Sequence, residues 1–235
     1  MPRRPYLYPH VTLWKNLEEV DRLLAIHTKM SGKGPGYKHN VEVLNKSAII
    51  LLVACWESFI EDVAETAFSI LLGRARKHDL FSARVLTDAA KSLKESKDER
   101  AIWKLAGDGW KTVLKDHKAT LFEKFTGKLN TPRPSQVDAL YESLLGMKSP
   151  SFHWHWQHTT ADNARRKLDD LIELRGSIAH RVKASRKIGK IDVRDYIDFI
   201  NRIASITSNA VRSFVLEKTG KESWPEFTYV RGKKS

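Results

Sequence analysis

Apolar residues recur at helical spacing along most of this chain, and they alternate over no useful length. Leu13, Leu17, Val20, Leu23, Leu24 and His27 predict a first helix from Leu13 to about Met30. The stretch SGKGPGYKHN, residues 31–40, breaks it with glycines and a proline. A second helix, Val41 to about Leu72, carries Trp56, Phe59, Ile60, Val63, Ala67, Ile70 and Leu71 on one stripe. Before Trp56 it is apolar nearly all round, which predicts burial on several sides. Glu57, Glu61, Asp62 and Glu65 make its acidic face, expected to be solvated, unless Glu57 or Glu61 reaches the arginine discussed below.

The middle of the chain reads as shorter pieces. A helix is expected from Asp79 to about Lys94, then a charged surface connection KESKDER, then a helix from Ala101 to Phe125 interrupted at Gly107–Gly109. Two prolines in Thr131–Ser135 exclude regular helix there. Pro134 then opens a short helix with Val137, Leu140, Tyr141, Leu144 and Leu145 on one face and Gly146 at its end. SPSFHWHWQHTT is a loop whose final Thr160 is a good N-cap for a helix from Ala161 onward. Asp192 is expected to cap a last long helix, striped by Val193, Tyr196, Ile197, Ile200, Ile203, Ala204, Thr207, Val211, Phe214 and Val215 and ended by Gly220. The expectation is an all-α chain with one domain. Its core is at about 11–72 and 160–217, a helical insertion lies at about 75–150, and a C-terminal tail spans 218–235.

Charge sharpens this picture. Among 235 residues, 41 are Lys or Arg and 28 Asp or Glu, a formal net charge of +13. Such an excess favours an anionic partner, nucleic acid ahead of a membrane surface or an acidic protein. The one cysteine, Cys55, excludes an intrachain disulfide and a cysteine-based zinc site, and fits a reducing, cytoplasmic setting. The opening MPRRPYLYPH lacks the apolar stretch of a secretory signal. The longest apolar run, AIILLVAC at 48–55, is too short to span a bilayer, so no membrane partner is expected. It reads as a buried helix segment or a subunit interface.

The most informative residues lie in LDDLIELRGSIAHR. Leu168, Leu171, Ile172, Ile178, Ala179 and Val182 define one apolar face, and Arg175 falls in the middle of it. A guanidinium stays charged, so it needs a carboxylate or a polar cleft. One reading is a structural ion pair to Asp169, Asp170 or Glu173. The other is chemical, because His180 follows and then a basic run, Arg181, Lys183, Arg186, Lys187 and Lys190, with no acid in it. Cleaving RNA requires a base for the 2′-hydroxyl, an acid for the leaving 5′-oxygen and fixed positive charge for the pentacoordinate phosphate. Histidine and arginine supply these without a metal or other cofactor. Five residues turn a regular helix by about 140° (about 100° each), so the two side chains do not share a face. Either Gly176-Ser177 distorts the helix, or a two-fold homodimer brings the pairs together, which would also cover the apolar run at 48–55.

Other chemistry is thin. His153, His155 and His158 lack an acidic or cysteine co-ligand, and a loop pinned by Trp154 and Trp156 is the favoured reading over a metal site. Base stacking by those two tryptophans is a minor alternative. The glycines of 31–40 lack the order and the preceding strand of a phosphate loop. No nucleophile elbow is present.

The ordered set of parts resembles the HEPN superfamily, in its RiboL-PSP-HEPN-like branch. Arg175-Gly176-Ser177-Ile178-Ala179-His180 is similar to that family's R-x(4–6)-H motif, and Ala54-Cys55-Trp56-Glu57-Ser58-Phe59 to its Trp-Glu helix. Leu129-Asn130-Thr131-Pro132-Arg133-Pro134-Ser135-Gln136-Val137, followed by Leu140 and Leu144-Leu145-Gly146-Met147, resembles its Pro-flanked helix. The resemblance covers roughly residues 40–216. It implies a four-helix bundle core, often dimeric, with an inserted helical segment. It also implies, in many members, a metal-independent endoribonuclease that leaves a 2′,3′-cyclic phosphate and serves as a toxin or in phage defence. Carried over, Arg175 would stabilise the phosphorane and His180 would act as general base or acid. The position after the arginine, often Asn, Asp or His, is Gly176 here, and Ser177 is the candidate to replace its hydrogen bond. Arg181, Lys183, Arg186 and Lys187 are the expected RNA-phosphate contacts. The expected partners are RNA, a second copy of the chain, and an antitoxin or other regulatory protein. The alternative is a catalytically degenerate HEPN module that binds RNA, nucleotide or a partner protein.

Overall fold

The computed structural model describes residues 8–31, 41–126, 132–181 and 187–229. Eight α-helices follow in order: α1 (Pro9–Ser31), α2 (Glu42–Arg74), α3 (Ala83–Ala89), α4 (Lys91–Lys94), α5 (Gly109–Thr126), α6 (Pro134–Leu145), α7 (Ala161–Arg181) and α8 (Lys190–Thr219). Short 3₁₀ turns lie at His78–Leu80, Glu99–Leu105 and Pro150–His153. Among the described residues no strand forms, so the fold is all-α as its periodicity predicts.

Helix α2 is the hub, with α1, α6, α7 and α8 all packing on it. That is why its first half is apolar on every side: Ala48, Ile49, Leu52, Val53, Cys55, Trp56, Phe59 and Ile60 are all buried. By length and composition α2 could also cross a membrane, at a mean hydropathy of 1.6. Its place at the centre of the core accounts for that composition without a bilayer. Cross-links fix its direction relative to α8. Near the start of α2, Asn45 Nδ2 donates to the Ile188 carbonyl at 2.9 Å. At its end, the Arg74 guanidinium donates to Thr219 Oγ1 at 3.0 Å and to the Lys221 carbonyl at 2.8 Å. The two helices therefore run parallel. Thr28, near the end of α1, meets Lys190 at the start of α8, so α1 runs opposite to both.

The expected helix over 79–94 is broken. Ser82 caps α3 by accepting the Val85 N–H, and α3 stops at Ala89, one residue short of α4. The helix expected from Ala101 starts instead as 3₁₀ turns over 99–105, which take in the end of the charged connection and leave Trp103 and Ile102 exposed. The interruption at 107–109 is real. Gly107 has φ +58°, and a Cβ on Gly109 would sit 2.0 Å from the Lys104 carbonyl oxygen. Gly146 ends α6 at φ +77°, with Ser82 Oγ 2.6 Å from where a Cβ would be. Only glycine fits that conformation and that contact. At the start of α8, Asp192 acts from inside the first turn, where its carboxylate accepts the Gly189 N–H at 2.7 Å.

Residues 221–229 fold back on the bundle. Trp224 and Phe227 are buried, and the Trp224 indole N–H donates to Ser208 Oγ at 3.1 Å. Asn209 and the Phe227 backbone exchange two hydrogen bonds, at 3.0 and 2.8 Å. Two large apolar side chains without periodicity gave no sign of this in the sequence.

Candidate active site

The site forms where the second half of α7 crosses α2. Thr160 caps α7 as predicted, accepting the Asn163 N–H at 3.2 Å. Leu168, Leu171, Ile172, Leu174 and Ile178 are buried, whereas Ala179 and His180 are exposed. The apolar face of α7 therefore runs out at its last turn, and Arg175 sits at that edge, partly buried.

Arg175 is not held in a structural ion pair with the acids of its own helix. Arg133, just before α6, takes two of them, reaching Asp169 at 2.9 Å and Glu173 at 3.7 Å. The Nε of Arg175 is buried and has no hydrogen-bond partner. Glu57 on α2 is the carboxylate its charge reaches. Burial pushes the Glu57 carboxyl up from its ordinary value, and Arg175 pulls it partly back. The acidic face of α2 is thus not simply solvated. One turn on, Glu61 is pushed up to about 7, by burial first and then by Glu57, Asp62 and Glu65. Asp62 is also raised, by burial and Glu65, while Glu65 pairs with Lys118 at 2.6 Å.

The α-helix is continuous from Ala161 to Arg181, so Gly176-Ser177 does not bend Arg175 towards His180. The two side chains remain about 140° apart around the axis. A Cβ on Gly176 would meet nothing within 4 Å, which leaves open space beside the arginine. The Ser177 hydroxyl donates to the Leu174 carbonyl at 2.7 Å, so its proton is spent within the helix and only its lone pairs remain to accept. Of the expected RNA contacts, Lys183 and Arg186 fall outside the described residues, as does the side chain of Arg181; Lys187 is exposed. The glycine-rich stretch 32–40 also lies outside them.

Trp56, Arg133 and the loop around Trp154 form the scaffold of this region. The Trp56 indole N–H donates to the Pro132 carbonyl at 3.1 Å, which ties the segment before α6 to α2. Its ring meets Trp154 edge to face at 5.7 Å, and Trp154 Nε1 donates to Thr207 Oγ1 at 2.8 Å. Trp154 is fully buried, so it pins the loop and cannot stack on a base. Trp156 packs against Phe199 and Arg202. Among the described residues no group of three His, Cys, Asp or Glu side chains is placed to hold a metal.

Residues 15–213, which take in the tryptophan-bearing central helix, the proline-bounded helix and the helix of Arg175 and His180, match one known family. The chain belongs to the RiboL-PSP-HEPN family. No curated protein and no solved structure matches. HEPN domains are commonly ribonuclease-like or nucleotide-binding. Within this HEPN domain, Arg175 was legible from the sequence as a charge on an apolar face. Nothing in the spacing marks Arg133 as part of the site, because its role depends on a contact between separate elements.

Proposed function

We propose that this HEPN protein is a metal-independent endoribonuclease that works as a homodimer in the cytoplasm, as a toxin or phage-defence effector. The observation that carries this reading is Arg175, a partly buried guanidinium with an unpartnered Nε beside open space at Gly176. A phosphate is the partner such a group lacks, and an arginine can hold two phosphate oxygens at once. In the proposed reaction His180 takes the proton from a ribose 2′-hydroxyl, and O2′ attacks the adjacent phosphorus. Arg175 balances the charge of the pentacoordinate phosphate. The P–O5′ bond breaks, the proton taken up by His180 passes to the leaving 5′-oxygen, and the products are a 2′,3′-cyclic phosphate and a 5′-hydroxyl.

The straight α7 keeps Arg175 and His180 of one chain apart, so the productive pair is Arg175 of one chain with His180 of the other. The run at 48–55 supports a dimer less than its composition alone implies. Most of it is covered by the chain's own helices, leaving Ile50 and Ala54 exposed on α2. Arg181, Lys183, Arg186 and Lys187 supply backbone-phosphate contacts, with binding that weakens as salt rises.

The test is purified protein with labelled RNA in EDTA. The wild type is expected to cut it and leave cyclic-phosphate ends, while folded His180→Ala is slower by at least about 100-fold. Equal rates would overturn the mechanism. A second reading, an RNA- or nucleotide-binding HEPN module without cleavage, is favoured by Gly176 and by the Ser177 proton being spent on Leu174. Binding without cleavage in the same assay would establish it.

A further inference from the structure

We infer that Lys167 and Arg202, each held over two aromatic rings on the α7–α8 side of the bundle, grip the single-stranded RNA that flanks the scissile phosphate; this rests on the ribonuclease reading above, whose substrate it extends. Among the described residues the cations that stack on rings fall into two kinds. Arg165, Lys111 and Lys118 each lie over one ring and also pair with a carboxylate, of Asp138, Asp108 and Glu65 respectively. Lys167 lies over two rings, Tyr196 at 5.7 Å and Phe199 at 4.9 Å. Arg202 does the same, over Trp156 at 5.1 Å and Tyr229 at 4.3 Å. Among the described residues no carboxylate pairs with either, and no acceptor meets the Arg202 guanidinium. Asp198, one turn earlier on α8, is committed to the Tyr229 hydroxyl, which donates to it at 2.5 Å. The two clusters join, because Phe199 and Trp156 lie 6.4 Å apart.

A ring attracts a cation without neutralising it, so both charges stay available to an anion. Stacking also restrains a guanidinium by its faces and consumes none of its five N–H donors. Cations interleaved with aromatic rings suit a single strand, whose phosphates meet the charges and whose unstacked bases meet the rings. Tyr196 and Trp156 are only partly buried and keep surface for such contacts. A duplex keeps its bases stacked away from them, and an acidic protein would use the charges and leave the rings idle. The position fits as well. Lys167 lies on the helix that carries Arg175, eight residues before it, or about 12 Å along the axis. The basic run that begins at Arg181 follows the other end of that helix. A strand crossing Arg175 is thus held on both sides of the bond to be cut.

The test is a binding measurement and does not depend on cleavage. Single-stranded 2′-O-methyl RNA of about 12 nucleotides cannot be cut, and its affinity is read by fluorescence anisotropy at physiological salt. Lys167→Glu should weaken binding about tenfold or more; the side chain is exposed, so the variant leaves the core undisturbed. Arg202→Gln should weaken it about fivefold and lower the salt slope by about 0.7, the value of one lost phosphate contact. Tyr196→Leu, which keeps an apolar side chain, should weaken it about fivefold with the salt slope unchanged. Lys218→Glu, the same charge reversal beside the single ring of Phe214 near the end of α8, should change it less than about twofold. Equal losses for Lys167→Glu and Lys218→Glu would overturn the inference. So would duplex RNA bound as tightly as the single strand, or poly-glutamate of equal charge competing as well as RNA. A wild type that binds through this surface and cuts no unmodified RNA would keep the RNA surface and remove the ribonuclease reading.

Discussion

Arg165 and Arg175 lie on the same helix, about 15 Å apart at 1.5 Å per residue, and both are partly buried. Their surroundings could hardly differ more. Arg165 donates to Asp138 at 2.9 Å and to the Ser151 hydroxyl, and it stacks over Phe152 at 4.6 Å. Asp138 in turn accepts the Ser151 N–H at 2.9 Å and its hydroxyl at 2.7 Å, so the whole knot is closed. Arg175 has a buried Nε without a partner and a glycine beside it that fills no space. A charge that serves only the fold finds its acceptors within the fold, because an unmet buried donor costs stability. A charge that is left short in a folded protein is one that something else must meet.

That contrast can be broken in several ways. The largest effect concerns where the second half of the site comes from. If Arg175 acts across a subunit boundary, mixing inactive Arg175→Met and His180→Ala dimers should regenerate one intact site in each hybrid. Cleavage should recover to roughly a quarter of wild type after random exchange of subunits. An Arg–His pair completed within one chain would show no recovery. Arg165 offers the opposite outcome. Arg165→Ala opens a partly buried pair and strands Asp138, so urea unfolding should show a loss of about 2–3 kcal/mol, while cleavage per folded molecule stays near wild type. A catalytic loss as large as that of Arg175→Met would erase the distinction between the two arginines.

The smallest effect separates Glu61 from Glu57. The carboxyl of Glu61 is raised from 4.5 to about 7, so between those values the folded chain holds a proton that the unfolded chain has released. Stability therefore falls as pH rises through that window, and the full penalty is present above it. Discounted for its partial exposure to solvent, the penalty is about 1 kcal/mol. Glu61→Gln should accordingly be more stable than wild type by about that much at pH 8 and no more stable at pH 4. A pH-independent difference would mean that Glu61 is solvated as the sequence alone suggests.

How much of this was readable beforehand follows from where the information lies. Helices α1, α2, α7 and α8 announce themselves because each carries a long stripe at helical period, and Thr160, Pro134 and Gly146 mark ends through their own backbone chemistry. The pieces between 78 and 105 differ from the expected helices because a few apolar residues fit a helix whether or not the backbone stays in one. Trp224 and Phe227 were unreadable as core because their burial depends on Ser208 and Asn209 of α8. The site divides the same way. Arg175 stands out locally as a charge where apolar residues belong. That Asp169 and Glu173 are taken by Arg133 from before α6 is a contact between separate elements, and no spacing within α7 reveals that.

The most direct measurement is Arg175→Met, assayed on one preparation for both urea unfolding and RNA cleavage in EDTA. A guanidinium kept for a phosphate rather than for the fold predicts unchanged stability, or a gain of up to about 1 kcal/mol, together with a loss of cleavage of at least about 100-fold. Destabilisation as large as that of Arg165→Ala, with cleavage per folded molecule intact, would contradict it.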